Sequence, residues 1–126
     1  MSGRVVHFEV PADDLARASE FYSSAFGWAI SPVPGMDYMA LVPTPMDDSG
    51  MPTEAGSING GMFLRDAERP SPVVTIDVAD IDATLAKVGA LGGSTVLPKQ
   101  EIMGMGFVAY FTDSEGNLMG LWQSSE

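Results

Sequence analysis

At 126 residues, 45% of them hydrophobic, the chain has the size of one ordinary domain and enough apolar material to bury a core rather than stay disordered. Its net charge of −11, six Lys and Arg against seventeen Asp and Glu, argues against nucleic acid or an anionic membrane surface as partner; it serves solubility and, in a sharper reading, attraction of a cationic ligand. There is no apolar run of the roughly 20 residues a membrane helix needs, no basic-then-apolar signal pattern after Met1, and no cysteine for a disulfide framework, which together suit a cytoplasmic protein.

Residues 4–10 alternate, with Val6, Phe8 and Val10 on one side and His7 and Glu9 on the other, as in a strand. Pro11 is expected to end it. Asp13 or Asp14 can cap a helix whose apolar positions are Leu15, Ala18, Tyr22, Ala25 and Phe26, and Gly27 supplies a left-handed stop. Trp28 to Ile30 and Tyr38 to Val42 read as short strands. Residues 43–60, rich in Pro, Gly and acids, read as a mobile surface loop long enough for a lid or a dimer contact. Gly61 to Arg65 should close the first half, and Arg69-Pro70-Ser71-Pro72 should link it to the second.

The second half opens with a strand over 73–78, in which Val74, Ile76 and Val78 should pack on a helix and leave Val73, Thr75 and Asp77 on the opposite face. Asp80 caps that helix, with Ile81, Leu85, Val88 and Leu91 on one stripe and Gly92-Gly93 at its end. Ser94 to Leu97, Phe107 to Phe111 and Leu118 to Gln123 read as strands, the last two joined by the turn residues 113–117.

The halves repeat each other. Displaced by 66 positions, Phe8, Val10, Asp14, Leu15, Tyr22, Ala25 and Gly27 fall on Val74, Ile76, Asp80, Ile81, Val88, Leu91 and Gly93. A repeat of this kind sets the architecture. Each half is β-α-β-β-β, so the expected fold class is α+β: a first module over about residues 1–68, a linker over 69–72 and a second module over 73–126. A lone unit leaves one sheet face uncovered; pairing two puts helices outside and a concave sheet inside, in one pseudo-twofold domain. Residues facing that cleft are where function is sought.

One histidine and no cysteine leave no soft metal cage and no two-histidine iron site within one chain. A Gly-rich phosphate loop, a G-x-S-x-G elbow and an H-E-x-x-H pair are likewise missing.

His7-Phe8-Glu9-Val10-Pro11, followed by Asp14-Leu15, Phe21-Tyr22 and Phe26-Gly27-Trp28, together with residues 110–117 (Tyr-Phe-Thr-Asp-Ser-Glu-Gly-Asn) before the last strand, resembles the vicinal oxygen chelate superfamily, also called the glyoxalase/bleomycin resistance/dioxygenase superfamily. The ending Gly120-Leu121-Trp122-Gln123 resembles its glyoxalase-like branch. The resemblance implies a dimer. It also implies metal ligands at four strand positions in catalytic members. His7 matches the first; the others fall near Met62, on Val73 and on Gly120, none of which is a ligand. No cofactor is therefore expected. A divalent metal would have only His7, Glu9 and Asp77 to hold it.

The candidate ligand-binding residues are His7, Glu9, Tyr38, Met62, Thr75, Asp77, Met103, Tyr110 and Trp122. His7 is either a strand histidine satisfied by a neighbour such as Glu9, or a ligand contact or general base oriented by a carboxylate. Trp122 is a core or interface aromatic, or a flat wall for a planar or cationic ligand. Met62, Met103 and Met105 suit an adaptable pocket lining. Three functions are weighed: a metal-independent binder of a small molecule, possible ligands being apolar, cationic or aromatic; a glyoxalase-like lyase or isomerase using His7 and Glu9; and an interaction module with a vestigial cleft.

Overall fold

The computed structural model describes residues 3–49, 51–102 and 104–125. The elements in chain order are β1 (Val5–Ala12), α1 (Leu15–Phe26), β2 (Ala29–Pro32), β3 (Tyr38–Val42), β4 (Gly60–Leu64), β5 (Val73–Asp77), α2 (Ile81–Ala90), β6 (Ser94–Ile102), β7 (Gly106–Thr112) and β8 (Leu118–Ser124). Among the described residues the fold is mixed α+β, with eight strands, two helices and the β-α-β-β-β order occurring twice. The chain forms two compact units, one of His7–Pro72 and the other of Val73–Glu126 together with Met1–Val6. The first residues of β1 thus belong with β5: Gly3 N–H donates to the Asp77 carbonyl at 2.6 Å and Asp77 N–H to the Arg4 carbonyl at 2.8 Å.

In the His7–Pro72 unit the strands run β2-β3-β4-β1, with β4 parallel to β1 and antiparallel to β3. One sheet face packs on α1 through Phe8, Val10, Ala12, Met39, Leu41 and Met62, which meet Leu15, Ala18 and Tyr22 of the helix. The helix starts where Asp14 accepts from the Arg17 N–H at 3.0 Å and stops at Gly27, whose φ of 74° suits glycine. Phe26, expected on the buried stripe, is 64% exposed; Gly27 turns the chain just after it, and the ring leans on Tyr22 and Trp28 at the rim. β1 does not end at Pro11. It continues through it, with Pro11 opposite Phe63, and a strand accepts proline where the ladder does not need its N–H.

The other unit repeats the scheme as β5-β8-β7-β6, with β8 parallel to β5. Ile76, Val78, Ala109, Phe111, Met119 and Leu121 pack with Ile81, Leu85 and Val88 of α2. Val74 is more exposed than its alternation suggests, and Leu91 lies past the end of the helix and is exposed. The strand expected over 94–97 runs on to Ile102 as β6, with register shifts between Thr95 and Leu97 and between Leu97 and Gln100 around Pro98. The turn 113–117 is held by the Asp113 carboxylate, which accepts from the Glu115 and Asn117 N–H groups at 2.9 Å each. Between β3 and β4 the segment expected as a loop carries a bridge from Met46 to Pro52 and a turn on Asp47.

Candidate functional site

In the His7–Pro72 unit, side-chain alternation gives α1 one sheet face and leaves the other to a small set of polar groups. Glu9 lies opposite Gly61, Ala40 opposite the same glycine, and Tyr38 opposite Phe63. His7, Glu9, Tyr38 and Phe63 therefore share the face that α1 does not cover. There the side chains meet: the Tyr38 hydroxyl donates to Glu9 Oε2 at 2.8 Å, and the Tyr38 hydroxyl oxygen lies 3.1 Å from His7 Nε2. Glu9 is only 6% exposed, while His7 and Tyr38 are half-buried. Burial makes the His7 imidazole less basic than its ordinary 6.5, and the nearby Glu9 charge opposes the effect without cancelling it.

Gly61 makes this arrangement possible. A Cβ on residue 61 would run into the Tyr38 hydroxyl and ring, so the phenol occupies the space a side chain would take. The expected site residue Met62 is fully buried against α1, and the β4 position on the His7 face is Gly61, one residue earlier. Neither the three-residue chain of contacts nor the role of Gly61 is read from composition. The available signal is the pair Gly60-Gly61 inside a strand, which marks a close approach.

The other unit has its own face away from α2, with Val73, Thr75, Tyr110, Gly120 and Trp122 on it. Thr75 and Tyr110 are buried, and Trp122 lies opposite both Asp77 and Val108. A Cβ on Gly120 would meet Thr75 Oγ1 at 2.9 Å and Val73 Cγ1 at 3.2 Å. Met105 is exposed, and Met103 lies outside the described residues.

The donor set does not fit the divalent metal that the fold implies. Among the described residues no group of three or more His, Asp or Glu side chains could hold an ion. His7 and Glu9 are bridged by a phenol, the neighbouring β4 position is glycine, and Val73 and Gly120 carry no donor. Asp77 does not join His7 and Glu9 in such a group. A cation that must replace most of its water shell needs more than this.

Residues 4–45, from β1 through β3, match the family model described as "Bleomycin resistance protein-like N-terminal". A protein of Mycobacterium tuberculosis, provisionally named glyoxylase CFP32, is 29% identical over 93% of this chain and 44% of its own length, so the chain spans about half of that relative. A "Glyoxylase-like domain-containing protein" of Didymella fabae is 28% identical over 93% of this chain and 91% of its own. Among solved structures, methylmalonyl-CoA epimerase of Streptomyces coelicolor in complex with 2-nitronate-propionyl-CoA matches the fold with a TM-score of 0.65 at 16% identity, covering 100% of both chains. A hypothetical protein of Bacillus halodurans matches with a TM-score of 0.63 at 14% identity, covering 100% of this chain and 97% of its own. With the repeated β-α-β-β-β order and the first-strand motif around His7, these similarities give the chain the fold of the vicinal oxygen chelate superfamily, the glyoxalase/bleomycin resistance/dioxygenase group, and liken its first three strands to the bleomycin resistance protein-like family.

Proposed function

We propose that this chain is a metal-independent binder of a small molecule, received on the face that carries His7, Glu9 and Tyr38. The observation that carries the reading is the chain of contacts over Gly61: the donors that remain at this face are engaged with one another through a phenol rather than arranged around an ion. Thr75, Asp77, Tyr110 and Trp122 are proposed as ligand contacts of the other unit, considered by itself. The ligand is apolar or cationic. A buried carboxylate at Glu9 and a net charge of −11 favour a cation. They disfavour a polyanion such as the coenzyme A ester analogue held by the Streptomyces epimerase. The setting proposed is a homodimer in the cytoplasm.

The test is a thermal-shift and calorimetric screen of cationic aromatic compounds, with and without chelator. A saturating ligand at about 100 times its Kd should raise stability by about 2.7 kcal/mol, equally with EDTA present, while Ni²⁺, Zn²⁺, Mn²⁺ and Fe²⁺ alone give no shift. Binding lost in EDTA and restored by metal would overturn the reading.

The glyoxylase names of the sequence relatives favour a second reading, a lyase or isomerase in which His7 and Glu9 move the proton. Turnover of a methylglyoxal–thiol adduct, abolished in His7→Ala, would establish it.

A further inference from the structure

We propose that Tyr38 and Glu9 hold His7 as the Nε2–H tautomer, so that Nδ1 is the ring atom offered to a ligand and the site takes its ligand through an N–H donor, best supplied by a protonated amine. The inference deepens the binding reading above and rests on it for the ligand only; the tautomer stands or falls without one.

The argument is a proton count. A carboxylate only accepts, and a phenol has one proton to give. At 2.8 Å from Glu9 Oε2, the Tyr38 hydroxyl gives that proton to Glu9. Its oxygen then meets His7 Nε2 at 3.1 Å with lone pairs, and only a protonated Nε2 completes that contact. The reverse order would turn the phenol proton toward His7. It would leave the Tyr38 and Glu9 oxygens 2.8 Å apart with no proton between them, beside a carboxylate that is 6% exposed. The glycine at 61 lets the phenol oxygen reach this position, and the i, i+2 spacing of His7 and Glu9 on β1 puts both on the same face. Among the described residues no hydrogen bond engages His7 Nδ1. An imidazole so fixed is an acceptor, and it lies on the same face as a carboxylate. An ammonium head with N–H groups satisfies both; a quaternary ammonium satisfies only the charge. Tyr38 is thus a positioning residue.

His7 is the only histidine in the chain, so its nitrogens can be assigned without ambiguity in this 126-residue chain labelled with ¹⁵N-histidine. Above the His7 titration, the wild type should show a protonated Nε2 and an unprotonated Nδ1. Tyr38→Phe should weaken that preference by roughly five- to tenfold, the worth of one hydrogen bond. Glu9→Gln, which allows the relay to reverse, should raise the Nδ1–H form. A wild type with Nδ1–H, or a preference untouched by both variants, would overturn the tautomer assignment. Benzylammonium and benzyltrimethylammonium then probe the ligand. A Nδ1 shift with the first and a several-fold weaker response to the second is expected. Equal responses would overturn the donor requirement, and no response to either would overturn this face as the ligand's while leaving the tautomer result intact.

Discussion

The two β-α-β-β-β units place different chemistry on matching positions. Where the first has His7 and Glu9 on its opening strand, with Glu9 opposite Gly61, the second has Val73 and Thr75, with Thr75 opposite Gly120. On the helix-facing side the apolar pattern is kept: Phe8 and Val10, opposite Gly60 and Met62, in one, and Val74 and Ile76, opposite Met119 and Leu121, in the other, although Val74 is partly exposed. The lesson is that the helix-side face makes the fold and the opposite face is free to vary. Both units keep a glycine where their two parallel strands meet, yet only the first fills the opening with a hydroxyl that joins two titratable groups.

The comparison can be broken most forcefully at the cores. Leu41, fully buried, and Leu121, 1% exposed, are core leucines of the units of α1 and α2 respectively. Leu41→Ala and Leu121→Ala should each cost about 2–5 kcal/mol in urea unfolding. A large cost in one and a small one in the other would show that the units do not support themselves alike.

The glycines sharpen the comparison at the open faces. Gly61→Ala forces the Tyr38 phenol off both partners and should cost about 1–3 kcal/mol by denaturant unfolding. Gly120→Ala meets Thr75 Oγ1 and Val73 Cγ1 less closely, at 2.9 Å and 3.2 Å, and belongs at the low end, about 1 kcal/mol. Reversal of that order would remove the phenol from its place in the site.

Smaller effects are expected at the helix starts. Asp14 and Asp80 cap α1 and α2 through the Arg17 and Ala83 N–H groups, at 3.0 Å and 3.1 Å. Each Asp→Ala change should cost about 1 kcal/mol in thermal or chemical unfolding. The loss at Asp80 should be the smaller, because Gln123 Oε1 already accepts from the Ile81 N–H at 2.8 Å.

The pH dependence separates the units most finely. Burial lowers the native pKa of His7 below the ordinary 6.5, so between the two values the unfolded chain binds more protons than the native one. His7's contribution is complete above 6.5 and is lost as pH falls through that window toward the native pKa. Stability measured against pH should therefore decline on acidification below 6.5, and His7→Gln should flatten that part of the curve. Val73, at the matching position of the second unit, has nothing to titrate. A wild-type profile identical to that of His7→Gln would mean that the ring is not buried in its neutral form.

The strand and helix order, the Asp80 cap, a cap at Asp13 or Asp14 (the structure uses Asp14), the glycine stop at 27 and the internal repeat were all legible in the chain, because each follows from short-range periodicity and local backbone chemistry. The i, i+2 placement of His7 and Glu9 was legible for the same reason. Pro11 inside β1 and the length of β6 were not, since whether a strand continues depends on the partner beside it.

What the sequence by itself determined is which residues can face a core and which cannot, and that the same unit is written twice. What only the tertiary structure decided is register. A shift of one residue between neighbouring strands exchanges one face for the other, and the register of β1 and β3 on β4 puts Gly61 rather than Met62 among His7, Glu9 and Tyr38. The contact between Tyr38 and Glu9 spans 29 residues, a distance over which no local pattern carries information. It exists because three strands and the missing side chain at Gly61 bring a phenol, an imidazole and a carboxylate within hydrogen-bonding reach.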